Sequence, residues 1–227
     1  MSKQTAKKEI SEYPGYFITF EGIEGTGKTT LVQMLHKILI EDWNLDVALV
    51  REPGTTQIGE QIRRILKKPE NKEIAANAEI LLFMASRAQS CSEIIIPCLK
   101  RGGIVIADRF SDSTFAYQGY AGGLNVDNLI NMEHFATSKI TPDLTFLIDI
   151  KNPEIGLKRK IEQGKLDRIE EKGIDFQSKV AAGYMELSRK FNRRIKIING
   201  DQTIEKMLDD VLQHLMLLLV FMFKSKG

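Results

Sequence analysis

The sequence predicts an α/β fold in which a five-stranded parallel sheet is flanked by helices on both faces. Five apolar runs of strand length alternate with stretches of helical period, a pattern typical of a buried parallel sheet. The first run also leads through a glycine-rich loop directly into an amphipathic stretch. The predicted strands are residues 16–20, 47–50, 104–107, 144–150 and 195–198. The predicted helices are residues 29–40, 57–66, 74–98, 126–139 and 176–191.

The composition is that of a folded domain of ordinary size. The 227 residues are 43% hydrophobic and 27% charged, which excludes disorder over most of the length. The 32 Lys and Arg nearly balance the 30 Asp and Glu, so charge gives no argument for nucleic acid or an anionic membrane as a partner. The spacing of Cys91 and Cys98 fits neither a zinc-ligand pair nor a secreted disulfide scaffold. We therefore predict reduced thiols and a cytoplasmic location.

The two ends of the chain differ in character from its middle. Residues 1–14 are charged and polar, contain no run resembling a signal peptide, and are predicted to be a flexible extension of the domain at 15–213. Residues 214–227 form an apolar tail whose run at 215–223 is shorter than the ~20 apolar residues that a membrane span needs. We predict a terminal helix that docks on the core or on a partner subunit, with peripheral membrane contact as the alternative.

The glycine-rich loop predicts a triphosphate site. It fits the pattern G-x-x-x-x-G-K-S/T between a strand and a helix, the context in which backbone N–H groups and a helix N-terminus bind phosphates. Lys28 can reach the β- and γ-phosphates, and the hydroxyl of Thr29 can bind Mg²⁺. The predicted ATP-binding residues are Gly22, Ile23, Glu24, Gly25, Thr26, Gly27, Lys28, Thr29 and Thr30.

The end of the third predicted strand indicates which reaction this site supports. Hydrolytic ATPases of the motor type end this strand in Asp-Glu, and G-proteins carry a later Asn/Thr-Lys-x-Asp motif that is absent here. This strand is followed instead by Asp108 and Arg109. Asp108 can hold Mg²⁺, partly through water, and Arg109 can bridge a donor and an acceptor phosphate. The pair favours a small kinase over a hydrolase.

Several further blocks occur in a fixed order, and with them the chain resembles the bacterial thymidylate kinases from about residue 16 to residue 211. The blocks are residues 20–25, 51–55, 81–87, 108–113, 116–119 and 166–170. The resemblance implies a three-layer P-loop kinase fold with a mobile lid at about 158–172. It also implies a homodimer that uses ATP and Mg²⁺ to phosphorylate dTMP to dTDP, with no nucleic acid as partner and no stable membrane insertion.

The resemblance further implies how the acceptor is bound. Phe83 would stack on the thymine, and Arg87, one helical turn later, would donate to its O4, which favours thymine or uracil over cytosine. Gln118, with Ser113 or Thr114, would meet the rest of the base edge, while Tyr117 would lie against the deoxyribose. The implied dTMP-binding residues are Glu24, Glu52, Pro53, Arg63, Phe83, Arg87, Arg109, Ser113, Thr114, Tyr117 and Gln118.

The implied catalytic residues are Lys28, Asp108, Arg109 and Arg168, with Thr29 and Asp108 at the metal. Arg168 would be the lid arginine, and Lys165 and Arg159 are possible helpers.

The chain departs from the family pattern at four positions. Ile161 and Gln163 stand where relatives often have arginine. The sequence therefore leaves open which basic residue of the lid reaches the transition state. Thr55 stands where relatives usually have a second glycine, a change expected to alter the loop that binds the acceptor. Gly122 stands where an arginine is frequent, so one phosphate contact of those relatives is expected to be missing.

Two other functions remain open at this stage. The first is another nucleoside or nucleotide kinase on the same scaffold, with dUMP or a nucleoside as acceptor. The second is a regulator that binds nucleotide without catalysis. The presence of Lys28, Thr29, Asp108, Arg109 and Arg168 together argues against the regulator, which would need only the first few.

Overall fold

The computed structural model describes residues 13–162, 164 and 166–224, with side chains described as far as residue 219. Nearly all of the predicted N-terminal extension, and the lid positions Gln163 and Lys165, therefore lie outside the described residues.

The sheet has five parallel strands, as predicted, in the order β2-β3-β1-β4-β5. The strands are β1 Tyr16–Glu21, β2 Val47–Arg51, β3 Ile104–Asp108, β4 Leu144–Asp149 and β5 Ile195–Asn199. In the central strand, Ile18 and Phe20 pack on one face of the sheet, whereas Phe17 packs on the other. Successive side chains of a strand point to opposite faces, and here the side chains on both faces are apolar and buried, which confirms the three-layer arrangement.

The helices cover both faces of this sheet. They are α1 Lys28–Lys37, α2 Gln57–Lys67, α3 Ala76–Ser90, α4 Ile96–Lys100, α5 Ser111–Thr114, α6 Val126–Ala136, α7 Pro153–Glu162, α8 Gly173–Lys190 and α9 Ile204–Lys224. Shorter helical segments are the π-helical Ile38–Asp42, Cys91–Ile95 and Phe115–Ala121 and the 3₁₀ turn Glu170–Lys172.

Two predicted helices differ from the observed ones in their details. The helix predicted at 74–98 is α3 and α4 joined by the π-helical segment that begins at Cys91. The helix predicted at 126–139 ends at Ala136, because Ser138 and Lys139 have φ values of 53° and 62°, which no right-handed helix can contain. Cys91 and Cys98 are both free and buried, and burial raises the pKa of each thiol.

The apolar tail continues the last helix of the domain. Helix α9 crosses the predicted boundary at 213/214 without a break. Met207, Val211, Leu215 and Leu219 follow one another at helical spacing and are all buried in the core beside α1 and β1. No helix in the described part of the chain has both the length and the apolarity to span a membrane.

Candidate active site

The glycine-rich loop, which is predicted to bind phosphate, connects the end of β1 to the start of α1. Its glycines Gly22, Gly25 and Gly27 have φ values of 139°, 70° and 84°, the left-handed region that favours glycine. Gly25 is restricted further, because a Cβ atom there would lie 2.0 Å from the carbonyl oxygen of Gly156 in α7. The hydroxyl of Thr26 donates to the carbonyl of Ile23 at 3.3 Å. The loop therefore has the backbone shape that its sequence pattern predicts.

The sheet brings the two predicted metal-binding residues together. Asp108 pairs in register with Phe20, so the ends of β3 and β1 lie side by side. The hydroxyl of Thr29 donates to Oδ2 of Asp108 at 2.6 Å, and Nζ of Lys28 lies 3.8 Å from Oδ1. A hydroxyl and a carboxylate that leave room for water and phosphate oxygens are the ligands that Mg²⁺ prefers, so these residues fit the predicted ion.

Arg109 lies between the loop and the neighbouring pocket. Its φ of 75° is unfavourable for a non-glycine residue by ~1–2 kcal/mol, and such backbone strain concentrates at functional sites. Nη2 donates to Glu24 at 2.8 Å and to the hydroxyl of Tyr117 at 3.2 Å. Nη1 donates to Ser113 at 3.2 Å and to the hydroxyl of Tyr184 at 3.0 Å. The guanidinium is thus held in one orientation.

Glu24 is ionised despite its partial burial. Burial alone would raise the pKa of its carboxyl, but the cations Arg109, Lys28, Lys67 and Lys160 lower that pKa to about 2. At neutral pH the side chain is therefore a pure hydrogen-bond acceptor, suited to a hydroxyl donor of the acceptor molecule.

A pocket opens beside Arg109. Ten of the eleven predicted acceptor-binding residues line it: Glu24, Glu52, Pro53, Phe83, Arg87, Arg109, Ser113, Thr114, Tyr117 and Gln118. Arg63 does not line the pocket; its Nη1 donates to the carbonyl of Pro53 at 2.8 Å and so supports the pocket wall. Lys67 and Ile169 also line the pocket and were not predicted.

Arg87 is the most enclosed cation of this pocket, with a side chain only 2% exposed. Nε donates to Glu52 at 2.5 Å, Nη1 donates to Glu133 and to Thr114, and Nη2 donates to the carbonyl of Phe110 at 3.1 Å. Burial opposes the charge, but the two carboxylates raise the pKa of the guanidinium overall. A guanidinium has five N–H donors, so one N–H of Nη2 is left for a ligand in the pocket.

Glu52 has an unusually high pKa for a carboxyl. Burial is the largest cause, Glu133 and Glu21 add to it, and Arg87 opposes it, which leaves the pKa at about 7. The folded protein therefore binds this proton more tightly than the unfolded chain does. The corresponding stabilisation is fully present below the unfolded pKa of 4.5 and is lost as the pH rises through about 7.

This linkage predicts a pH-dependent effect of Glu52→Gln. The free energy of unfolding of the variant, relative to that of wild type, should increase on the order of 1–3 kcal/mol between pH 5 and pH 8. Urea unfolding of both proteins at the two pH values measures this difference. The control is Glu60→Gln, because the pKa of the half-buried Glu60 is lowered, so that its effect on stability changes with pH only below pH 5. A difference for Glu52→Gln that does not change with pH would contradict the prediction.

The comparison with known proteins agrees with this geometry. The family model described as thymidylate kinase matches residues 20–211. The chain belongs to the thymidylate kinase family. It is 44% identical over 199 residues to the thymidylate kinase of Clostridium novyi (strain NT), covering 87% of this chain and 96% of that protein. It is 42% identical to that of Exiguobacterium sp. (strain ATCC BAA-1283 / AT1b), covering 88% and 93%.

A solved structure shares the fold. The crystal structure of thymidylate kinase from Ehrlichia chaffeensis is 32% identical in sequence and has a TM-score of 0.72. The match covers 89% of this chain and 98% of that one. The predicted family and the predicted P-loop kinase fold are both confirmed.

The lid arginine predicted for this thymidylate kinase family member is held by residues of α2 and α3. Nε of Arg168 donates to the carbonyl of Leu66 at 2.8 Å, and Nη2 lies 2.6 Å from Oε2 of Glu79. The side chain is 7% exposed. Arg159 lies nearer the loop, where its Nη1 donates to the carbonyl of Gly25 at 3.3 Å. The structure thus does not bring Arg168 together with Lys28 and Arg109, and its predicted catalytic role stays a prediction.

Two of the departures from the family pattern have structural counterparts. Thr55 has a φ of 70°, and its hydroxyl both donates to the carbonyl of Arg51 at 3.0 Å and accepts from the N–H of Arg51 at 2.7 Å. These two bonds offset the strain that a glycine would avoid. At Gly122, a Cβ atom would lie 2.6 Å from the carbonyl oxygen of Gln118, so an arginine would require a backbone shift.

Several buried partners of the site were missed by the sequence analysis. Glu21 accepts hydrogen bonds from the N–H of Phe110 at 2.7 Å, from Ser113 at 2.6 Å and from Tyr184 at 2.8 Å. Its position as a charged residue at the end of an apolar strand was a usable signal. Glu79 and Glu133 gave no such signal, because acidic residues on helices are most often exposed to solvent.

Proposed function

We propose that this chain transfers the γ-phosphoryl group of ATP to dTMP, giving dTDP and ADP. The observation that carries the proposal is the position of Arg109 between the phosphate loop and the pocket. Its guanidinium contacts Glu24 of the loop and Tyr117 and Ser113 of the pocket. Membership of the thymidylate kinase family supports the same reaction and ATP as the donor.

The chemistry requires positioning rather than a base. A phosphate monoester has a second pKa near ~6, so the attacking oxygen of the acceptor is already largely ionised at neutral pH. The barrier comes from bringing two anions into line. Lys28 and Arg109 lower this barrier because their positive charges offset the negative charge of the phosphates. Mg²⁺, held by Thr29 and Asp108, would neutralise further phosphate charge when bound.

The pocket supports a pyrimidine with an oxygen at position 4. The remaining N–H of Arg87 is a donor, which matches the O4 of thymine and opposes the amino group of cytosine. Phe83 supplies an aromatic ring in the same pocket for stacking. Homodimer assembly, lid mobility and a cytoplasmic location remain predictions.

A coupled ADP-release assay tests the proposal. Wild type is assayed with Mg-ATP and, in turn, dTMP, dUMP, UMP, dCMP, AMP, GMP and thymidine, and dTMP is expected to be the preferred acceptor. Lys28→Met should abolish the turnover, which shows that the activity belongs to this chain. Lys37→Met is the matched control, since Lys37 lies on the same helix with a side chain 70% exposed. Preference for another acceptor would contradict the pocket assignment, and tight ATP binding without turnover would favour a regulator.

A further inference from the structure

We infer that Arg168 and Glu79 form a positioning pair that fixes the side-chain amide of Gln118 and thereby sets the base specificity of the pocket. The inference rests on the proposed function. It assigns Arg168 a role through other residues instead of direct contact with the transferred phosphoryl group.

The contacts form a continuous chain from Arg168 to the pocket. Nη2 of Arg168 lies 2.6 Å from Oε2 of Glu79, and the other carboxylate oxygen, Oε1, accepts a hydrogen bond from Nε2 of Gln118 at 2.9 Å. All three residues are buried, with exposed fractions of 7%, 5% and 7%. Arg168 is itself anchored, because its Nε and its backbone N–H donate to the carbonyls of Leu66 and Lys67.

This chain of contacts determines which end of the Gln118 amide faces the ligand. An ionised carboxylate only accepts hydrogen bonds, so the amide nitrogen must face Glu79. Burial alone would raise the pKa of Glu79, but the hydrogen bond from Gln118 and the cations Lys172 and Arg168 lower it, which keeps the group ionised. The side-chain oxygen of Gln118, Oε1, accepts no hydrogen bond from any side chain or backbone N–H among the described residues, and Gln118 lines the pocket.

The resulting pattern of one acceptor and one donor matches thymine. The Gln118 oxygen can accept from the N3–H of thymine, and the remaining N–H of Arg87 can donate to O4. Cytosine presents an acceptor at N3 and an amino donor at C4, so it mismatches both groups. If the amide of Gln118 rotated by half a turn, its NH₂ group would face the base and could donate to N3 of cytosine, which would remove the mismatch at that atom. By preventing this rotation, Glu79 and Arg168 exclude cytosine.

The experiment compares Arg168→Met with a matched control. The control is Lys72→Met, which removes the exposed ion pair with Glu171 at 3.3 Å and leaves Glu79 unchanged. We measure kcat and KM with dTMP and with dCMP, and the affinity for both nucleotides by calorimetry. For Arg168→Met, KM for dTMP should rise about 10–100-fold and the preference for dTMP over dCMP should fall at least about tenfold, because one buried hydrogen bond is no longer enforced. The kcat at saturating dTMP should stay within a few-fold of wild type.

Two further variants keep the test decisive if Arg168→Met folds poorly. The double variant Glu79→Met/Arg168→Met removes both charges, a replacement that is often neutral for stability, and should show the same loss of preference. Arg168→Lys keeps the charge and should restore part of the preference.

The opposite results overturn the inference. A folded double variant with the full preference for dTMP would do so. A kcat for Arg168→Met that falls by about 10²–10³ with unchanged base preference would also do so, because that is the result for a group acting on the transferred phosphoryl. Wild type that fails to phosphorylate dTMP would instead overturn the proposed function, while the calorimetric preference would still decide the role of Arg168.

Discussion

Replacing Arg109 by methionine is expected to lower kcat for dTMP phosphorylation by about 10²–10³-fold, the usual effect of losing one preorganised donor at a transition state. The guanidinium is held by Glu24, Tyr117, Ser113 and Tyr184, and its backbone keeps a strained φ of 75° to place it there. Methionine keeps an unbranched apolar side chain but has no charge and no N–H donor with which to offset phosphate charge. The substitution Arg109→Met therefore tests the contributions of the positive charge and of the hydrogen bonds of Arg109 together.

The measurement is steady-state kinetics over a range of dTMP and ATP concentrations. The matched control is Arg189→Met, since Arg189 is 67% exposed and, within the described part of the chain, forms an ion pair only with Glu186 on its own helix. Its kinetics should equal those of wild type. A kcat for Arg109→Met within threefold of wild type would show that Arg109 does not act on the transferred group.

Replacing Arg87 by methionine is expected to destabilise the fold by about 3–5 kcal/mol, because it leaves the buried carboxylates of Glu52 and Glu133 without their cation. The exposed fractions of all three side chains are 2%, so water cannot take over the role of the guanidinium. Part of the loss will appear as uptake of a proton by Glu52, whose pKa burial already raises, and this makes the variant relatively more stable in acid.

Denaturant unfolding at neutral pH measures the effect. Arg101→Met is the matched control: Arg101 also pairs with a carboxylate, Asp46, at 2.6 Å, but with side chains 52% and 53% exposed. An exposed pair of this kind contributes at most about 1 kcal/mol. Combining Arg87→Met with Glu52→Gln and Glu133→Gln should recover much of the lost stability. If Arg87→Met were no more destabilising than Arg101→Met, the buried cluster would not stabilise the fold.

The strands and the phosphate loop were predictable because they depend on local patterns. Strand-length apolar runs require burial on both faces, and a loop such as 22–29 needs glycines wherever φ is positive. The ends of helices were less predictable. Nothing in the sequence around Ala136 indicates that Ser138 and Lys139 adopt left-handed conformations. Likewise, the apolar tail could be read only as a docking segment until Leu215 and Leu219 were seen to extend the core stripe of α9.

Most residues that line the pocket beside Arg109 were predicted from motifs, but the partners of these residues were not. Residues far apart in sequence form this site: Arg87 contacts Glu52 and Glu133, which are 35 and 46 positions away. Whether such charged side chains are buried depends on which helices pack together, and a local sequence pattern does not predict that packing. For the same reason Lys67 of the pocket and Glu79 behind Gln118 were missed.

The order of motifs along the chain was enough to determine a parallel α/β fold, the backbone shape of the glycine-rich loop and the family of kinases to which the chain belongs, because each motif consists of residues that are near neighbours along the chain. The direction of Arg168 was decided only by tertiary packing. Its guanidinium could face the phosphates or the base site, and the carbonyl of Leu66 and the carboxylate of Glu79 lie on the side of the base. Nε of Arg168 donates to Leu66 and its guanidinium forms an ion pair with Glu79, and these partners belong to α2 and α3, whose packing beside residue 168 a local sequence pattern does not determine.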